Sequence, residues 1–466
     1  MSHDGVSSYG AVSRHRPRSR DATLSHNGAL SHDGSRDRIA VLGTGYVGLT
    51  TGACLAAMNH PVVCADVDRT KLAELARGEV RPLEPGLGEL VREGIDAEAL
   101  TFTADAAGAV RGCTVVFLCL PTPTGADGAV DLSAVESVVR GLRDRLPRGC
   151  VLAVKSTVPV GTAAHIADLL GRADVAVVSN PEFLREGSAV HDFLHPDRVV
   201  LGADRASSAA DRVAELYAPL GAPVVRTDPA SAELVKHAAN SYLALKLSYT
   251  NALAEVCERA GADVAALASA LGQDPRIGGS CLRPGPSWGG SCLPKDTRAL
   301  ARAADERGVD SGLLRAALAA NEREPDRAVR RIAAACGERG QLRDVRLGVL
   351  GLAFKAGTND LRESPALSVA RRLADRGADL LAHDPGLRGD EPELAETVTV
   401  VGDAYQAAKG AAGLVVLTDW PQFRELDWTR IAGLLHRPVV VDARNHLDPE
   451  VLARAGLSRQ GTGFGQ

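Results

Sequence analysis

The chain has 466 residues, of which 45% are hydrophobic and 24% are charged, and its formal net charge is -5. This length predicts two or three domains, and the small net charge argues against binding to nucleic acid or to an anionic membrane. No run of about 18 apolar residues occurs, so no transmembrane helix is expected.

The nine cysteines form no CxxC pair. This argues against a zinc or other metal site and favours free thiols in a reducing, cytoplasmic environment.

The first segment, residues 1–37, is rich in Ser, His, Arg, Asp and Gly and repeats the motif SHDG with small variations. No apolar stretch follows its basic residues, so it lacks the pattern of a secretory signal. This composition predicts a disordered tail. The histidines of the tail, His3, His26 and His32, are expected to be solvated rather than to bind a metal.

Regular structure is predicted from Arg38 onward. The run Ile39–Leu42 has the pattern of a buried strand, residues 47–58 that of a helix, and residues 61–65 that of a second strand. Together they form a β-α-β unit. Further strands are predicted at residues 115–120, 151–154, 175–178 and 199–201. Their alternation with helix-like segments predicts a mostly parallel sheet with helices on both faces, over residues 38–228.

The middle of the chain, residues 229–330, is predicted to be helical. Residues 231–260 show helical periodicity without Gly or Pro, enough for one helix that passes between two domains. More helices are predicted at residues 264–271, 297–307 and 311–322.

The third section, residues 331–455, again alternates predicted strands and helices. Its strands are predicted at residues 347–350, 380–382, 414–417 and 439–441, with a helix at 366–376. The fold class predicted for the chain is therefore α/β, with two Rossmann-like doubly wound domains joined by a long central helix and a helical dimerisation domain. Residues 388–396 are expected to form a loop, and residues 456–466 a tail.

A glycine-rich motif, Gly43-Thr-Gly45-Tyr-Val-Gly48, lies between the first predicted strand and the first predicted helix. Gly43 permits a tight turn, Gly45 lets a pyrophosphate approach the backbone, and Gly48 lets the helix pack against the strand. The helix N-terminus then faces the phosphates. Asp66, which follows the second strand, can accept hydrogen bonds from ribose hydroxyls and repels a 2′-phosphate. This favours NAD over NADP, and a glycine-rich turn without a ligand is the alternative.

The segment GGSCLPKD, residues 289–296, carries a second chemical signal. Pro294 suits the first turn of a helix, so Cys292 is expected just before a helix N-terminus. The helix dipole and Lys295 would favour its thiolate. Asp296 is close enough in sequence to act as a base. The spacing alone leaves open that Cys292 is a buried structural cysteine.

Polar side chains also follow two predicted strands and line one helix. The motif KSTVPVGT begins at Lys155 and NPEFLREG at Asn180. Each lies at the carboxyl edge of the sheet, where open α/β sheets bind ligands. On the long helix, Glu233, Lys236 and Asn240 share one face. Solvated side chains and helix caps are the alternative interpretation of each group.

In their order, these motifs resemble those of the UDP-glucose/GDP-mannose dehydrogenase family over residues 38–450. The motifs are GTGYVGL, DVD, EPGL, LPTP, KSTVPVGT, NPEFLREGSAVHDFLHPDR, ELVKHAAN, GGSCLPKD, GLAFKAGTNDLRESPA and VDARN. The resemblance implies a four-electron oxidation of the C6 alcohol of a nucleotide-linked glucose to the uronic acid. Two NAD are used, and Cys292 carries a thiohemiacetal and then a thioester.

The resemblance also implies roles for single residues. Cys292 resembles the nucleophile, while Lys236 and Asn240 resemble residues that stabilise the oxyanion. Asp296 resembles a base or a residue that orders water. A catalytic water is expected at Thr157 and Glu182. NAD is expected at Gly43, Gly45, Tyr46, Val47, Gly48, Asp66, Lys71, Thr122, Thr157, Glu186 and Arg362. The nucleotide sugar is expected at Phe183, Leu184, Arg185, Lys236, Asn240, Arg276, Gly289, Phe354, Lys355 and Arg444.

The resemblance further implies an oligomer. Arg276 resembles a residue that reaches the site of a neighbouring subunit, and the long helix resembles a dimer core. A homodimer or a higher homo-oligomer is therefore expected. Lys355 and Arg444 are natural partners for the diphosphate of the substrate, because cations pair well with phosphate oxygens.

The sequence favours UDP-glucose as the substrate. The segment PRIG, residues 275–278, resembles the UDP-glucose branch rather than the GDP-mannose branch. Lys295 argues against the UDP-N-acetylmannosamine branch. Cys281 and Trp288 depart from the aromatic residues usual at these positions, which keeps dTDP-glucose as an alternative.

Two other classes of protein compete with this interpretation. One is a two-electron dehydrogenase of the β-hydroxyacid type, which the motif GGSCLPKD and the third section disfavour. The other is a non-catalytic sensor of NAD or a nucleotide sugar, which is disfavoured because both Cys292 and Lys236 are present.

Overall fold

A computed structural model describes residues 37–80, 84–125 and 127–464. The predicted tail, residues 1–37, lies outside these ranges except for Asp37, whose side chain is buried. Disorder of the tail therefore stays a prediction. Regular structure begins at Ile39, as the apolar run indicated.

The first domain is built around a sheet of eight strands in the order β3-β2-β1-β4-β5-β6-β7-β8. Its neighbouring strands are parallel except β6 and β7, which pair antiparallel through Ser179 and Gly202. The predicted mostly parallel sheet is thus confirmed. In chain order the elements are β1 (Ile39–Leu42), α1 (Tyr46–Ala57), β2 (Val62–Ala65), α2 (Arg69–Leu75), α3 (Leu87–Asp96), β3 (Leu100–Thr103), α4 (Ala106–Ala109), β4 (Val115–Leu118), α5 (Ser133–Leu142), β5 (Val151–Val154), α6 (Thr162–Leu170), β6 (Ala176–Ser179), α7 (Ala189–Leu194), β7 (Val199–Gly202), α8 (Ala209–Tyr217), a 3-10 helix (Ala218–Leu220) and β8 (Val224–Thr227).

The middle of the chain consists of helices, as predicted. Its elements are α9 (Pro229–Ala260), α10 (Val264–Gly272), α11 (Leu293–Asp305) and α12 (Gly312–Cys336). Helix α12 runs far beyond the predicted end at residue 322 and contains Pro325. Its last turns carry Val329 and Ile332 into the core of the third domain. Burial of this apolar face outweighs the cost of a proline inside the helix. The predicted domain boundary at residue 330 therefore falls within one continuous helix.

The third domain contains a parallel sheet of six strands in the order β11-β10-β9-β12-β13-β14. A short 3-10 helix lies within the predicted loop at residues 388–396. In chain order the elements are β9 (Arg346–Leu350), α13 (Pro365–Asp375), β10 (Asp379–His383), a 3-10 helix (Pro392–Leu394), β11 (Thr399–Val400), α14 (Ala404–Ala408), β12 (Leu414–Val416), a 3-10 helix (Pro421–Glu425), α15 (Trp428–Leu434), β13 (Val439–Asp442), α16 (Pro449–Arg454) and β14 (Ser458–Gly461).

The prediction that residues 456–466 form a tail was wrong for the residues of this segment that the structure describes. Strand β14 (Ser458–Gly461) pairs in parallel with β13, and Arg459 Nε lies 3.1 Å from the buried Asp442 Oδ2. The segment then reaches the helical region, where Phe464 pairs with Asp263. The polar sequence SRQG has no apolar alternation, so its backbone pairing could not be recognised from the sequence.

The long helix α9 is attached to the first domain through a buried carboxylate. Glu233 Oε2 accepts a hydrogen bond of 2.6 Å from Gly161 N, and its Oε1 accepts one of 2.7 Å from Ala163 N. These amides lie at the N-terminus of α6, where a negative charge is favourable. Glu233 therefore fixes α9 against the sheet, rather than facing a ligand as the polar helix face suggested.

Three further properties concern the described part of the chain as a whole. None of its helices is long and apolar enough to cross a membrane. All nine cysteines are free thiols. Among the described residues, no group of three or more His, Cys, Asp and Glu side chains is arranged to hold a metal ion.

Removal of residues 456–466 tests the structural role of the C-terminal strand. We expect the apparent Tm to fall by about 5 °C or more, because β14 and the buried side chain of Leu457 are lost. Differential scanning calorimetry of the purified protein measures the change. Deletion of residues 465–466 alone is the control and should leave Tm unchanged. An equal Tm for both deletions would show that the strand adds no stability.

Candidate active site

The glycine-rich loop between β1 and α1 leaves no room for larger side chains at two positions. Gly43 has a φ of +96°, and a Cβ there would collide with the carbonyl oxygen of Cys119. A Cβ at Gly48 would collide with the carbonyl oxygen of Gly43. At Gly45, in contrast, a Cβ would meet no described atom within 4 Å. This open side of the loop fits a pyrophosphate at the N-terminus of α1.

Asp66 follows β2 and is held by three donors. Its Oδ2 accepts hydrogen bonds of 2.8 Å from Thr44 N and 2.6 Å from Thr44 Oγ1, and Lys71 Nζ lies 3.0 Å away. Burial alone raises the pKa of Asp66, but the hydrogen bonds from Thr44 outweigh it and hold this pKa below its ordinary value. An ionised carboxylate at this edge of the sheet suits ribose hydroxyls and disfavours a 2′-phosphate.

A cleft of about 360 Å³ opens between this loop and the third domain. Five of the predicted NAD residues line it: Gly45, Tyr46, Lys71, Glu186 and Arg362. Residues that the sequence did not single out complete the wall: Thr44, Leu49, Glu74, Leu75, Glu79, Thr358, Asn359 and Asp360. Residues 358–362 come from the third domain, so both domains form the cleft. The glycine loop, Asp66 and this volume fit a dinucleotide.

Six predicted NAD residues are not part of the lining of this cleft. Gly43, Gly48 and Asp66 have been described above, and the other three are Val47, Thr122 and Thr157. Val47 packs against the core of the first domain. Thr122 Oγ1 donates a hydrogen bond of 2.9 Å to the carbonyl oxygen of Thr157. It also lies 3.5 Å from Lys295 Nζ. Thr122 and Thr157 therefore stand on the side of the site that faces α11.

Cys292 occupies the N-cap position of α11, and Pro294 lies in the first turn, as the sequence predicted. The Sγ atom of Cys292 lies 3.5 Å from Ser291 Oγ. The Ser291 hydroxyl donates a hydrogen bond of 3.0 Å to Glu186 Oε1. Ser291 thus links the thiol to a carboxylate of the first domain. Ser291 was not among the predicted site residues, although its position next to Cys292 in GGSCLPKD was a signal.

The electrostatics of Cys292 differ from the prediction. Burial raises the pKa of the Cys292 thiol, the Lys236 ammonium lowers it, and Glu182 raises it, with a net increase. Lys295 points elsewhere, since its Nζ lies 3.5 Å from Asp296 Oδ1. The prediction that Lys295 is the cation that favours the thiolate was therefore wrong, and the pKa of the thiol is raised rather than lowered. The cation that acts on the thiol comes from α9.

Lys236 is 3% exposed and forms an ion pair of 2.9 Å with Glu182 Oε1. Burial lowers the pKa of Lys236, but Glu182, Cys292 and Asp296 outweigh it, so the pKa is raised. Glu182 Oε2 also accepts a hydrogen bond of 2.5 Å from Leu184 N. A charged ammonium is thereby held near the thiol.

Asn240 lies one turn after Lys236 on α9. Its Nδ2 donates a hydrogen bond of 2.5 Å to Asp296 Oδ2. Asp296 is 1% exposed and stands in the first turn of α11. The structure therefore brings the predicted residues Cys292, Lys236, Asn240, Asp296 and Glu182 together at the junction of α9, α11 and the loop after β6.

Glu186 is a buried acid between the thiol and the dinucleotide cleft. Burial and the nearby Asp360 raise its pKa to about 7, against the opposing effects of Arg362 and Ser291. Arg362 Nη2 is 3.4 Å from Glu186 Oε1. A carboxyl with this pKa can accept and release a proton near neutral pH.

Several predicted substrate residues meet where the third domain packs on the GGSC turn. A Cβ at Gly289 would collide with the carbonyl oxygen of Glu363, and one at Gly290 would lie 2.7 Å from the Phe354 ring. Arg444 Nη2 donates a hydrogen bond of 3.3 Å to the carbonyl oxygen of Phe354. Burial lowers the pKa of Lys355, and Glu186 opposes this effect. Two cations of the third domain thus stand near the reactive turn.

The remaining substrate positions are more dispersed. The Phe183 ring lies 5.5 Å from Lys236 Nζ, so it borders the site. Arg185 is exposed and pairs with Asp192 at 2.5 Å. Arg276 is 87% exposed and pairs with Asp274, and it does not enter the site of its own chain.

Trp288 is held inside the helical region. It is 5% exposed, its Nε1 donates a hydrogen bond of 2.8 Å to Ser248 Oγ on α9, and its backbone N donates one to Asn321 Oδ1 on α12. Cys281, the other departure from the usual aromatic residues, has a left-handed backbone conformation with a φ of +61°. Because Trp288 is fixed by α9 and α12, it offers no free aromatic face to a nucleobase.

Family models match most of the chain. The NAD-binding domain of the UDP-glucose/GDP-mannose dehydrogenase family matches residues 37–221, its central domain residues 230–323, and its UDP-binding domain residues 348–449. The chain belongs to this family. Membership makes it an NAD-dependent nucleotide-sugar dehydrogenase, with NAD as its cofactor.

Relatives in the UDP-glucose/GDP-mannose dehydrogenase family are similar to this chain over nearly its whole length. A UDP-glucose 6-dehydrogenase of Pseudomonas aeruginosa is 41% identical over 443 residues, which is 91% of this chain and 97% of the relative. The UDP-glucose 6-dehydrogenase TuaD of Bacillus subtilis is 39% identical, covering 90% and 91%. The solved UDP-glucose dehydrogenase of Pyrobaculum islandicum aligns with a TM-score of 0.84 at 36% identity, covering 94% of this chain and 100% of the other.

The raised pKa of the Cys292 thiol can be tested by alkylation with iodoacetamide. Because this pKa is raised, alkylation at pH 7 should be slower than that of a free thiol and should accelerate as the pH rises. Lys236→Met removes the cation that lowers this pKa, so the rate at pH 7 should fall about tenfold. Mass spectrometry of the Cys292 peptide measures the rate.

The matched control for this alkylation is Lys295→Met. Lys295 faces Asp296 and Thr122, so its loss should change the alkylation rate much less than the loss of Lys236. A larger effect of Lys295→Met would contradict the assignment of the cation. Circular dichroism verifies that both variants are folded.

Proposed function

We propose that the chain oxidises the C6 alcohol of UDP-glucose to the carboxylate of UDP-glucuronate. The reaction uses two NAD and passes through a thiohemiacetal and a thioester on Cys292. The observation that carries the proposal is the position of Cys292 at the N-terminus of α11, near Lys236 with its partner Glu182. The names of the curated relatives in Pseudomonas and Bacillus support the substrate.

Each oxidation requires removal of a proton from the sugar and stabilisation of negative charge. When bound in the cleft lined by Gly45, Lys71 and Arg362, NAD would supply the acceptor for the hydride of C6. Asp296 accepts the proton of the alcohol, since it is a buried carboxylate in the first turn of α11. Lys236 and the Asn240 amide stabilise the developing oxyanion by charge and by hydrogen bonding. Asn240 also orients Asp296 through their hydrogen bond of 2.5 Å.

Addition of the thiol makes the second oxidation feasible. An aldehyde releases a hydride readily only after a nucleophile has added to its carbonyl carbon. The raised pKa of Cys292 means that the thiol needs a base when it attacks. Ser291 can take the thiol proton while its own hydrogen passes to Glu186, 3.0 Å away. With a pKa near 7, Glu186 serves this role when it is ionised.

Hydrolysis of the thioester then releases the acid. Glu182 pairs with Lys236 and, with Thr157 on the neighbouring loop, would hold the attacking water. The two cations of the third domain, Lys355 and Arg444, pair with the diphosphate of the substrate. The diphosphate thereby places the glucose between the two sheets, beside the GGSC turn.

Counting the NADH formed per sugar tests this chemistry. With UDP-glucose, we expect two NADH for each molecule consumed, because both oxidations occur at one site. Cys292→Ser should abolish the second oxidation, since a hydroxyl replaces the thiol that must add to the aldehyde. Absorbance at 340 nm and chromatography of the sugar provide the two counts. One NADH per sugar, or full turnover of Cys292→Ser, would contradict the mechanism.

The same assay with dTDP-glucose, GDP-mannose and a UDP-N-acetylhexosamine tests the nucleotide. We expect the highest kcat/KM for UDP-glucose, which agrees with the UDP-binding family domain and with the enclosed position of Trp288. A kcat/KM about a hundredfold higher for dTDP-glucose would overturn this choice.

We also propose that the chain acts as a homodimer built on α9. Tyr242, Tyr249 and Val256 lie seven residues apart on this helix and are 58%, 60% and 60% exposed. This spacing forms one apolar stripe that a second copy would cover. Lys246 Nζ donates hydrogen bonds of 3.0 Å and 3.2 Å to the carbonyls of Ile277 and Gly278. The exposed Arg276 is thereby kept beside the stripe, where it can reach a partner subunit.

Tyr249→Glu tests the dimer. We expect the variant to be a monomer at micromolar concentration, because a charge would be buried in the apolar stripe. Sedimentation analysis measures the mass. Val225→Glu places the same charge at an exposed apolar residue of strand β8 and should leave the dimer intact. A monomeric unaltered protein would contradict the proposal.

A further inference from the structure

His237 lies next to Lys236 on α9 and is 3% exposed. Its Nε2 is 2.9 Å from the carbonyl oxygen of Val158. Because a carbonyl oxygen only accepts hydrogen bonds, Nε2 carries a hydrogen. The Nδ1 atom of the neutral ring is then a bare acceptor.

This bare nitrogen faces the catalytic carboxylate. His237 Nδ1 lies 3.8 Å from Asp296 Oδ1. Both atoms are buried, and neither has a hydrogen-bond partner within the described ranges. The other carboxylate oxygen is occupied by Asn240. Two buried acceptors that face each other without a hydrogen between them are unfavourable, so this arrangement suits a shared proton.

Charged groups surround the pair on each element that packs against it. From α11, Lys295 Nζ is 3.5 Å from Asp296 Oδ1. From α9, Lys236 pairs with Glu182, and Glu233 is engaged by the amides of α6. Farther along α11, Arg302 pairs with Glu306 and with Asp127.

A second cleft, of about 220 Å³, reaches the histidine. Its walls come from residues 128–130, from residues 159–160 in the loop before α6, and from helices α9 and α11. It shares no lining residue with the dinucleotide cleft. Leu234, Pro159 and Ala299 line it beside His237. The second cleft therefore brings solvent next to the His237 side chain by a path separate from the dinucleotide cleft.

We propose that His237 takes the proton that Asp296 collects during each oxidation and passes a proton to water in the second cleft. The O–H bond of Asp296 breaks as an N–H bond forms at His237 Nδ1. The imidazolium then loses the same proton from Nδ1 to a water molecule that enters from the second cleft. The water becomes hydronium, and the neutral ring keeps its Nε2 hydrogen on the Val158 carbonyl. Asp296 is thereby a carboxylate again before the next step. This inference rests on the proposed role of Asp296 as the base, and it makes His237 a positioning residue that acts through Asp296.

Two variants and a set of small imidazoles test the proposal. His237→Gln keeps a side-chain N–H for the Val158 carbonyl but cannot carry a proton, so kcat should fall about tenfold to a hundredfold. The KM values for UDP-glucose and NAD should change little. His237→Ala leaves space for free imidazole, which should restore kcat, and substituted imidazoles of higher pKa should restore more. The acidic limb of the kcat–pH profile should change in both variants.

Leu234→Ala is the matched control, because Leu234 lines the same cleft but has no group that can carry a proton. Its kcat and pH profile should stay as in the unaltered protein. A wild-type kcat and pH profile for His237→Gln would overturn the inference, as would rescue that does not depend on the pKa of the imidazole. NADH is counted for the unaltered protein in parallel. One NADH per sugar would refute the proposed function, whereas two NADH with a wild-type His237→Gln would refute only the role of His237.

Discussion

The buried ion pair between Lys236 and Glu182 is the interaction on which the rest of the site depends. Both side chains are almost fully enclosed, and their charged atoms lie 2.9 Å apart. Loss of one partner would leave an unpaired buried charge, which costs about 3–5 kcal/mol. The pair joins the loop after β6 to helix α9. It also decides the electrostatics of Cys292, because the ammonium offsets part of the cost of a buried thiolate while Glu182 works against it. The cysteine is therefore kept as a thiol until a base takes its proton.

Helix α9 turns this local interaction into an assembled site. Within two turns it presents three polar residues, and each engages a different element. Glu233 binds the N-terminus of α6, Lys236 binds the loop after β6, and Asn240 binds the first turn of α11. Since α11 begins directly after Cys292, the nucleophile is positioned by the same helix that supplies the cation. A shift of α9 would therefore move the base, the cation and the thiol relative to the substrate at once.

The elements that strong local patterns encode could be predicted from the sequence. The apolar run of β1, the glycine loop and the helix start at Pro294 agree with the structure. Strands β3, β8 and β11 are among the elements that were not predicted. Two further parts of the structure were missed because tertiary contacts decide them. Strand β14 has the polar sequence SRQG and is held by pairing with β13. The end of α12 continues past Pro325 because its apolar face enters the third domain.

Within the site, the sequence indicated which residues meet but not how they are oriented. Among the lysines, Lys295 is nearest to Cys292 along the chain. Lys236 is nevertheless the cation that lowers the pKa of the thiol, because side-chain direction and burial decide the electric field at the Cys292 sulfur. Glu182 and Glu186 both belong to the motif NPEFLREG, and the motif alone does not distinguish them. In the structure Glu182 forms an ion pair, whereas Glu186 has a pKa near 7. Such differences depend on the neighbours that the fold supplies.

The cleft for the dinucleotide has one wall in each α/β domain, with Gly45 and Lys71 on one side and Asn359 and Arg362 on the other. Affinity for a ligand that touches both walls includes the free energy of holding the walls together. By thermodynamic reciprocity, the factor by which correct docking of the third domain tightens cofactor binding equals the factor by which the cofactor favours that docking. Dissociation constants and interdomain orientation in this protein are therefore two measurements of a single equilibrium.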